Sequence, residues 1–134
     1  MTPLDLSALV AEHVAGYVWI RFPERSYLVS SDSQVAQLKT GSRGRHRDNN
    51  DTGSVPPYAT SADAVLPLLD AWRREAKSKY REGHIYWQAG TFDEQNSRDY
   101  WVELCGMIGG IVAGQGPTLP EAACRALLAA KGRG

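Results

Sequence analysis

The best-marked element of the sequence is the run Thr118-Leu119-Pro120-Glu121-Ala122-Ala123-Cys124-Arg125-Ala126-Leu127-Leu128. Thr118 and Glu121 form a capping box and Pro120 lies in the first turn, so a helix begins here. Apolar side chains then recur at helical spacing, at Leu119, Ala122, Ala123, Ala126, Leu127 and Ala130. Gly132 is a natural C-terminal cap. Because most of this face is alanine, we expect the helix to lie close against a sheet or a second helix.

The chain before this helix carries runs of aromatic and branched side chains at residues 84–89 and 100–105, separated by the polar residues 93–99. This pattern predicts a β-hairpin. A third run, at residues 109–113, lies among glycines and predicts a further strand.

Two aromatic pairs lie in the predicted hairpin: Tyr86 with Trp87, and Tyr100 with Trp101. Side chains alternate between the two faces of a strand, so one member of each pair should face the core and the other solvent. Core packing explains at least half of them. An exposed tryptophan is a good interface anchor, and the predicted interface aromatics are Trp87 and Trp101.

Two more helices are expected in the first half of the chain. Thr2 and Asp5 form a capping box that opens the first, which should end near Gly16. The second follows the prolines at 56 and 57, with Thr60 and Asp63 as its candidate capping box. Residues 17–22 and 27–29 are rich in aromatic and β-branched side chains and predict a hairpin or a strand with an irregular return.

Length and composition favour one α+β domain over residues 1–134, in which a short, mostly antiparallel sheet is covered by about three helices. Fifteen basic and fifteen acidic side chains cancel, which argues against general coating of nucleic acid. No apolar run is long enough to cross a membrane, and no signal peptide is visible, so a cytoplasmic location is expected.

Two segments carry a family resemblance: Val55-Pro56-Pro57-Tyr58-Ala59-Thr60-Ser61-Ala62-Asp63-Ala64 and the C-terminal run at residues 118–128. In this order and separation they resemble the phage ABA sandwich domain family, small proteins of phages and prophages. Ala59 departs from the serine expected in that pattern. The resemblance implies an α/β/α-like layered sandwich and a phage setting in a bacterial host. It supplies no catalytic residues.

Common catalytic and cofactor motifs are absent from the sequence. There is no nucleophile elbow, P-loop, dinucleotide fingerprint or zinc spacing. Cys105 and Cys124 have apolar neighbours, which favours buried, unreactive thiols. We therefore predict no catalytic residue, no metal site and no cofactor.

Residues 30–54 differ from the rest of the chain because they are polar and rich in glycine and charge. Such a segment buries too little apolar surface to order itself, so we predict a flexible basic excursion inside the single domain. Its candidate partner- or phosphate-binding residues are Lys39, Arg43, Arg45, His46 and Arg47.

Two functions fit this segment. The first is a phage-encoded, non-catalytic protein that binds a host protein, with an anti-CRISPR-like inhibitor as its sharpest version. The second is a nucleotide or other phosphate-ligand binder, or an enzyme on such a ligand, in which the basic loop closes over phosphate. The sequence leaves the partner and the oligomeric state open.

Overall fold

A computed structural model describes residues 1–38, 41–79, 84–92, 99–107 and 110–132 of the chain. Its helices are α1 (Pro3–His13), α2 (Gln34–Gln37), α3 (Ala62–Lys79) and α4 (Leu119–Ala130). Its strands are β1 (Val18–Arg21), β2 (Ser26–Val29), β3 (Ser42–Arg43), β4 (Asn50–Asp51), β5 (Tyr86–Thr91), β6 (Tyr100–Met107) and β7 (Gly110–Gly116). The predicted α+β class is confirmed.

The strands divide between two sheets instead of forming one. The first sheet has the order β3-β1-β2-β4, and the second has the order β5-β6-β7. All pairs are antiparallel except β2 with β4, which is parallel. The predicted hairpin at residues 84–105 is present as β5–β6, and of the two alternatives for residues 17–29 the structure has the hairpin, β1–β2.

The helix ends show how well local chemistry specifies them. The Thr2 hydroxyl accepts from the Asp5 amide at 3.1 Å, and the Thr118 hydroxyl accepts from the Glu121 amide at 3.3 Å, as the sequence predicts. At α3 the cap is instead Ser61, whose hydroxyl accepts from the Ala64 amide at 3.3 Å. The Thr60 hydroxyl turns back to the Pro57 carbonyl. The candidate cap at Thr60 is therefore corrected by one residue.

Helix α4 lies at the centre of the core. It packs on β6 and β7 and also contacts α1 and α3. Among its fully buried side chains are Ala122, Cys124, Ala126 and Leu127. Leu28 extends the same core to the first sheet. No helix in the described parts of the chain is long and apolar enough to cross a membrane.

The predicted close approach of this helix is confirmed at Gly114 of β7. A Cβ placed on Gly114 would lie 2.4 Å from the Ala122 carbonyl oxygen. The helix backbone therefore rests directly on the strand, and this contact fixes the distance between α4 and the second sheet.

Candidate functional site

The hairpin β1–β2 forms the base of the candidate site. Trp19 pairs with Leu28 and Ile20 with Tyr27, while the Phe22 amide donates to the Arg25 carbonyl at 2.9 Å across the turn. Since neighbouring residues of a strand face opposite sides, Leu28 faces the core and Tyr27 faces away from it.

Residues 41–51 cross this hairpin from one edge to the other, and we call them the strap. The strap begins as β3 on the free edge of β1 and ends as β4 on the free edge of β2. Between the two strands, the Gly44 amide donates to the Trp19 carbonyl at 3.2 Å. The middle of the strap, residues 45–49, thus spans the hairpin near its turn.

His46 ties the strap to the hairpin through both its backbone and its ring. Its amide donates to the Ser26 hydroxyl at 2.6 Å, and Ser26 is fully buried. Its Nε2 lies 2.6 Å from the Phe22 carbonyl oxygen. A carbonyl oxygen only accepts, so Nε2 carries the proton. The Ser26 amide also donates to the Asn49 carbonyl at 2.9 Å.

The two ends of the strap are held as well. A Cβ on Gly41 would lie 2.6 Å from the Ile20 side chain and 3.3 Å from the Phe22 ring, so this glycine permits close approach. At the other end, the Asn49 side-chain amide donates to the Glu24 carbonyl at 2.9 Å. The flexibility predicted for residues 30–54 stays a prediction, but the strap makes fixed contacts along its length.

The strap brings four of the five predicted basic-site residues together. Arg43, Arg45 and Arg47 are exposed, and His46 between them is half-buried. Lys39, the fifth, lies outside the described residues. His46 has both its amide and its Nε2 engaged by the hairpin, and its part in binding stays a prediction.

A cleft of about 690 Å³ opens beside the strap. Its lining is Phe22, Pro23, Glu24, Arg25, Tyr27 and Asn49. The Phe22 and Tyr27 rings meet edge to face, with centroids 5.9 Å apart. The Arg25 guanidinium lies 3.5 Å from the Asp51 carboxylate, which partly neutralises it. This cleft was not predicted from the sequence. The pattern that could have indicated it is the pair Phe22 and Tyr27 on either side of a short polar turn.

The predicted alternation of the aromatic pairs is confirmed on the second sheet. Trp87 and Tyr100 pack against the core, whereas Tyr86 is 45% exposed. Trp101 lies on the outer face, where its indole covers Gly90 of the neighbouring strand. The exposed aromatic of the first pair is therefore Tyr86, and the position assigned to Trp87 is corrected. The interface role of Trp101 stays a prediction.

The outer face of the second sheet also carries two carboxylates. Gln88 donates to Glu103 at 3.1 Å, and Gln115 donates to Asp99 at 3.0 Å. A groove of about 310 Å³ lies on this face. It is lined by Phe92, Trp101, Glu103, Ala113, Gly114 and Gln115.

Both cysteines are buried, as the sequence predicts. Burial raises the pKa of the Cys124 thiol to about 12, so the thiol stays protonated and unreactive at neutral pH. Burial, with the nearby Tyr17 hydroxyl, raises the pKa of Tyr58 to about 12. A hydrogen bond with Cys105 raises the pKa of Tyr86. Within the described ranges, no three histidine, cysteine or carboxylate side chains lie close enough together to hold a metal ion.

Comparisons with known proteins identify a shared fold. The chain is similar to the crystal structure of a phage protein from Bacillus cereus, with a TM-score of 0.54 over 96% of this chain and 91% of that one. The two sequences are 16% identical, so the likeness is one of fold. No protein-family model matches the sequence, and no curated protein matches it.

Proposed function

We propose that this chain is a phage- or prophage-encoded binding protein of the ABA sandwich family, which acts without catalysis on a host component in the bacterial cytoplasm. Its sharpest form is an anti-CRISPR-like inhibitor that binds a protein of that defence system. The observation that carries the proposal is the strap, which presents Arg43, Arg45 and Arg47 to solvent from a backbone attached to the hairpin.

Attachment of the strap favours binding because the backbone that carries the arginines does not have to be ordered when a partner binds. When a flexible loop binds a partner, each side chain that becomes immobilised costs about 0.5–1.5 kcal/mol of binding free energy, and ordering the backbone costs more. The bonds from His46 and Asn49 to the hairpin remove much of the backbone cost before a partner arrives. Guanidinium groups bind carboxylates in a bidentate manner, which suits an acidic surface on a host protein.

Two further observations support the phage setting. The segments 55–64 and 118–128 resemble the phage ABA sandwich family, and the fold is shared with a phage protein of Bacillus cereus.

The test is affinity capture from host lysate with the wild-type chain and with the double variant Arg45→Ala/Arg47→Ala. The expected result is a specific protein whose capture falls at least about tenfold in the variant and also falls with rising salt. The matched control is Arg74→Ala/Lys77→Ala, which removes two exposed charges from α3. Capture that is equal in all three chains, or no captured protein at all, contradicts the proposal.

The anti-CRISPR version has its own test. The purified chain is added to target cleavage by CRISPR effectors from the host, and inhibition is measured against the same double variant. Loss of inhibition in Arg45→Ala/Arg47→Ala supports this version. Full cleavage by every effector that the host encodes rejects it and leaves the broader proposal to the capture experiment.

The cleft beside the strap favours a second candidate, a phosphate ligand such as a nucleotide. Phe22 and Tyr27 offer rings against which a base can stack, and Arg25 lies at the rim. Thermal shift with a nucleotide panel separates the two candidates. A rise of several degrees that disappears in Arg45→Ala/Arg47→Ala favours the nucleotide. Because Arg25 already pairs with the Asp51 carboxylate, its guanidinium attracts a phosphate less strongly, which favours the protein partner.

A further inference from the structure

Strand β7 forms one edge of the second sheet and carries no charged side chain. It pairs with β6 on one side, and in the described part of the chain no hydrogen bond joins its other side to any segment. Its sequence, Gly110 to Gly116, contains no charge and no proline, the features that usually block pairing at an edge. Ile111 within it is 61% exposed.

Two grooves flank this edge, one on each face of the sheet. Ala113, Gly114 and Gln115 line both of them. The outer groove holds the Trp101 indole and the Glu103 carboxylate. The inner groove has a volume of about 290 Å³ and a mixed polar and apolar lining. Its lining includes Leu6, Leu9, Leu128 and Ala129, together with the cationic Arg125 side chain and Met1.

The outer groove has the chemistry of a cation site. Strands β5, β6 and β7 contain no lysine and no arginine, so none of them neutralises Glu103. A glutamine side chain donates to Glu103, which leaves its remaining lone pairs available. A cation beside the indole of Trp101 gains a cation–π contact in addition to the carboxylate.

We propose that an extended, cationic segment of a partner protein adds to β7 as a fourth strand. Such a segment binds through main-chain hydrogen bonds and is selected by alternate side chains. A lysine or arginine placed opposite Ala113 lies two strand spacings, about 10 Å, from Glu103 of β6. The methyl group of Ala113 leaves a path for the long side chain to cross to Glu103 and Trp101.

The same geometry defines the alternate position of the segment. Its next side chain lies opposite Gly114 and enters the inner groove, where Leu9 and Leu128 favour an apolar residue and Arg125 repels a cation. The recognised pattern is therefore basic and apolar residues in alternation. This surface is separate from the strap, so the inference does not depend on the function proposed above.

The probe is the peptide Arg-Val-Arg-Val-Arg-Val-Arg, with its glutamate counterpart as a control, and binding is measured by calorimetry. We expect Glu103→Gln to weaken binding roughly fivefold, since the contact is a partly exposed charge pair. Asp70→Asn, which removes an exposed carboxylate from α3, and Arg45→Ala/Arg47→Ala should bind as wild type. Equal binding by wild type and Glu103→Gln, or by both peptides, overturns the proposal.

Backbone pairing is tested separately with two peptides, N-methylated either at every arginine or at every valine. Amide groups of alternate residues point to opposite edges of a strand, so only one of the two should lose binding. Equal binding by both rejects strand addition. Sedimentation tests whether a second copy of this chain, rather than a partner protein, pairs with β7. A dimer that dissociates in Ala113→Lys would show that a second copy fills the edge, which also overturns the proposal.

Discussion

Replacing Gly114 by alanine would place a methyl group where α4 rests on β7. The new Cβ would lie 2.2 Å from the Ala126 amide nitrogen, and both this atom and the Ala122 carbonyl oxygen belong to the helix backbone. The helix backbone would have to move about 1.2 Å away from β7 to lengthen the distance between this Cβ and the Ala126 nitrogen to an ordinary contact of 3.4 Å. Because backbone cannot rotate away as a side chain can, the whole helix must move.

Such a movement loosens the contacts of α4 with the second sheet. A gap of about 0.5–1 Å already forfeits a quarter to a half of each contact energy. Overpacking in a core costs about 1–3 kcal/mol, and we place Gly114→Ala at about 3 kcal/mol. For a chain of this length, that lowers the melting temperature by about 10 °C.

Gly90→Ala is the matched control, measured by the same thermal and urea unfolding. Here the new Cβ would lie 2.6 Å from the Trp101 indole, a side chain that can turn away. We expect a cost of about 1 kcal/mol or less. Equal losses of stability in the two variants would show that the direct backbone contact between α4 and β7 does not limit the packing of the helix.

Three further outcomes are expected. Ser26→Ala removes the acceptor of the His46 amide and should lower the free energy of unfolding by about 1–2 kcal/mol, measured in urea. Thr118→Ala removes the cap of α4 and should cost about 1 kcal/mol by the same assay, with the exposed Thr91→Ala as its control. Stability should fall as pH rises from about 9 towards 12. Over that range the unfolded chain loses the Cys124 and Tyr58 protons while the folded chain, with both pKa values raised to about 12, keeps them. Circular dichroism along a pH series measures this; unchanged stability up to pH 11 would contradict it.

Much of the fold follows from local signals in the sequence. The caps at Thr2 and Thr118 are specified by residues within one helical turn, and the alternation at Tyr86 and Trp87 follows from strand geometry. The small-residue face of α4 also predicts its close approach to the second sheet.

What the sequence does not specify depends on contacts between distant residues. The strap pairs with β1 and β2, and the two sheets therefore stay separate. The strands of the strap are short and polar, such as Ser42–Arg43, so they carry no periodic signal in the sequence. The anchoring of His46 joins it to Phe22 and Ser26, more than 19 residues away. Composition therefore predicts the basic residues as a candidate site but gives no signal for the hairpin that holds them.

Amide hydrogen exchange at His46 tests most directly whether the arginines are carried on an attached strap. We expect this amide, which donates to the buried Ser26 hydroxyl, to exchange at least about tenfold more slowly than in an unstructured peptide of the same sequence. Ser26→Ala should remove the protection. If the amide in the wild-type chain exchanges at the rate of the free peptide, the strap is not attached to the hairpin.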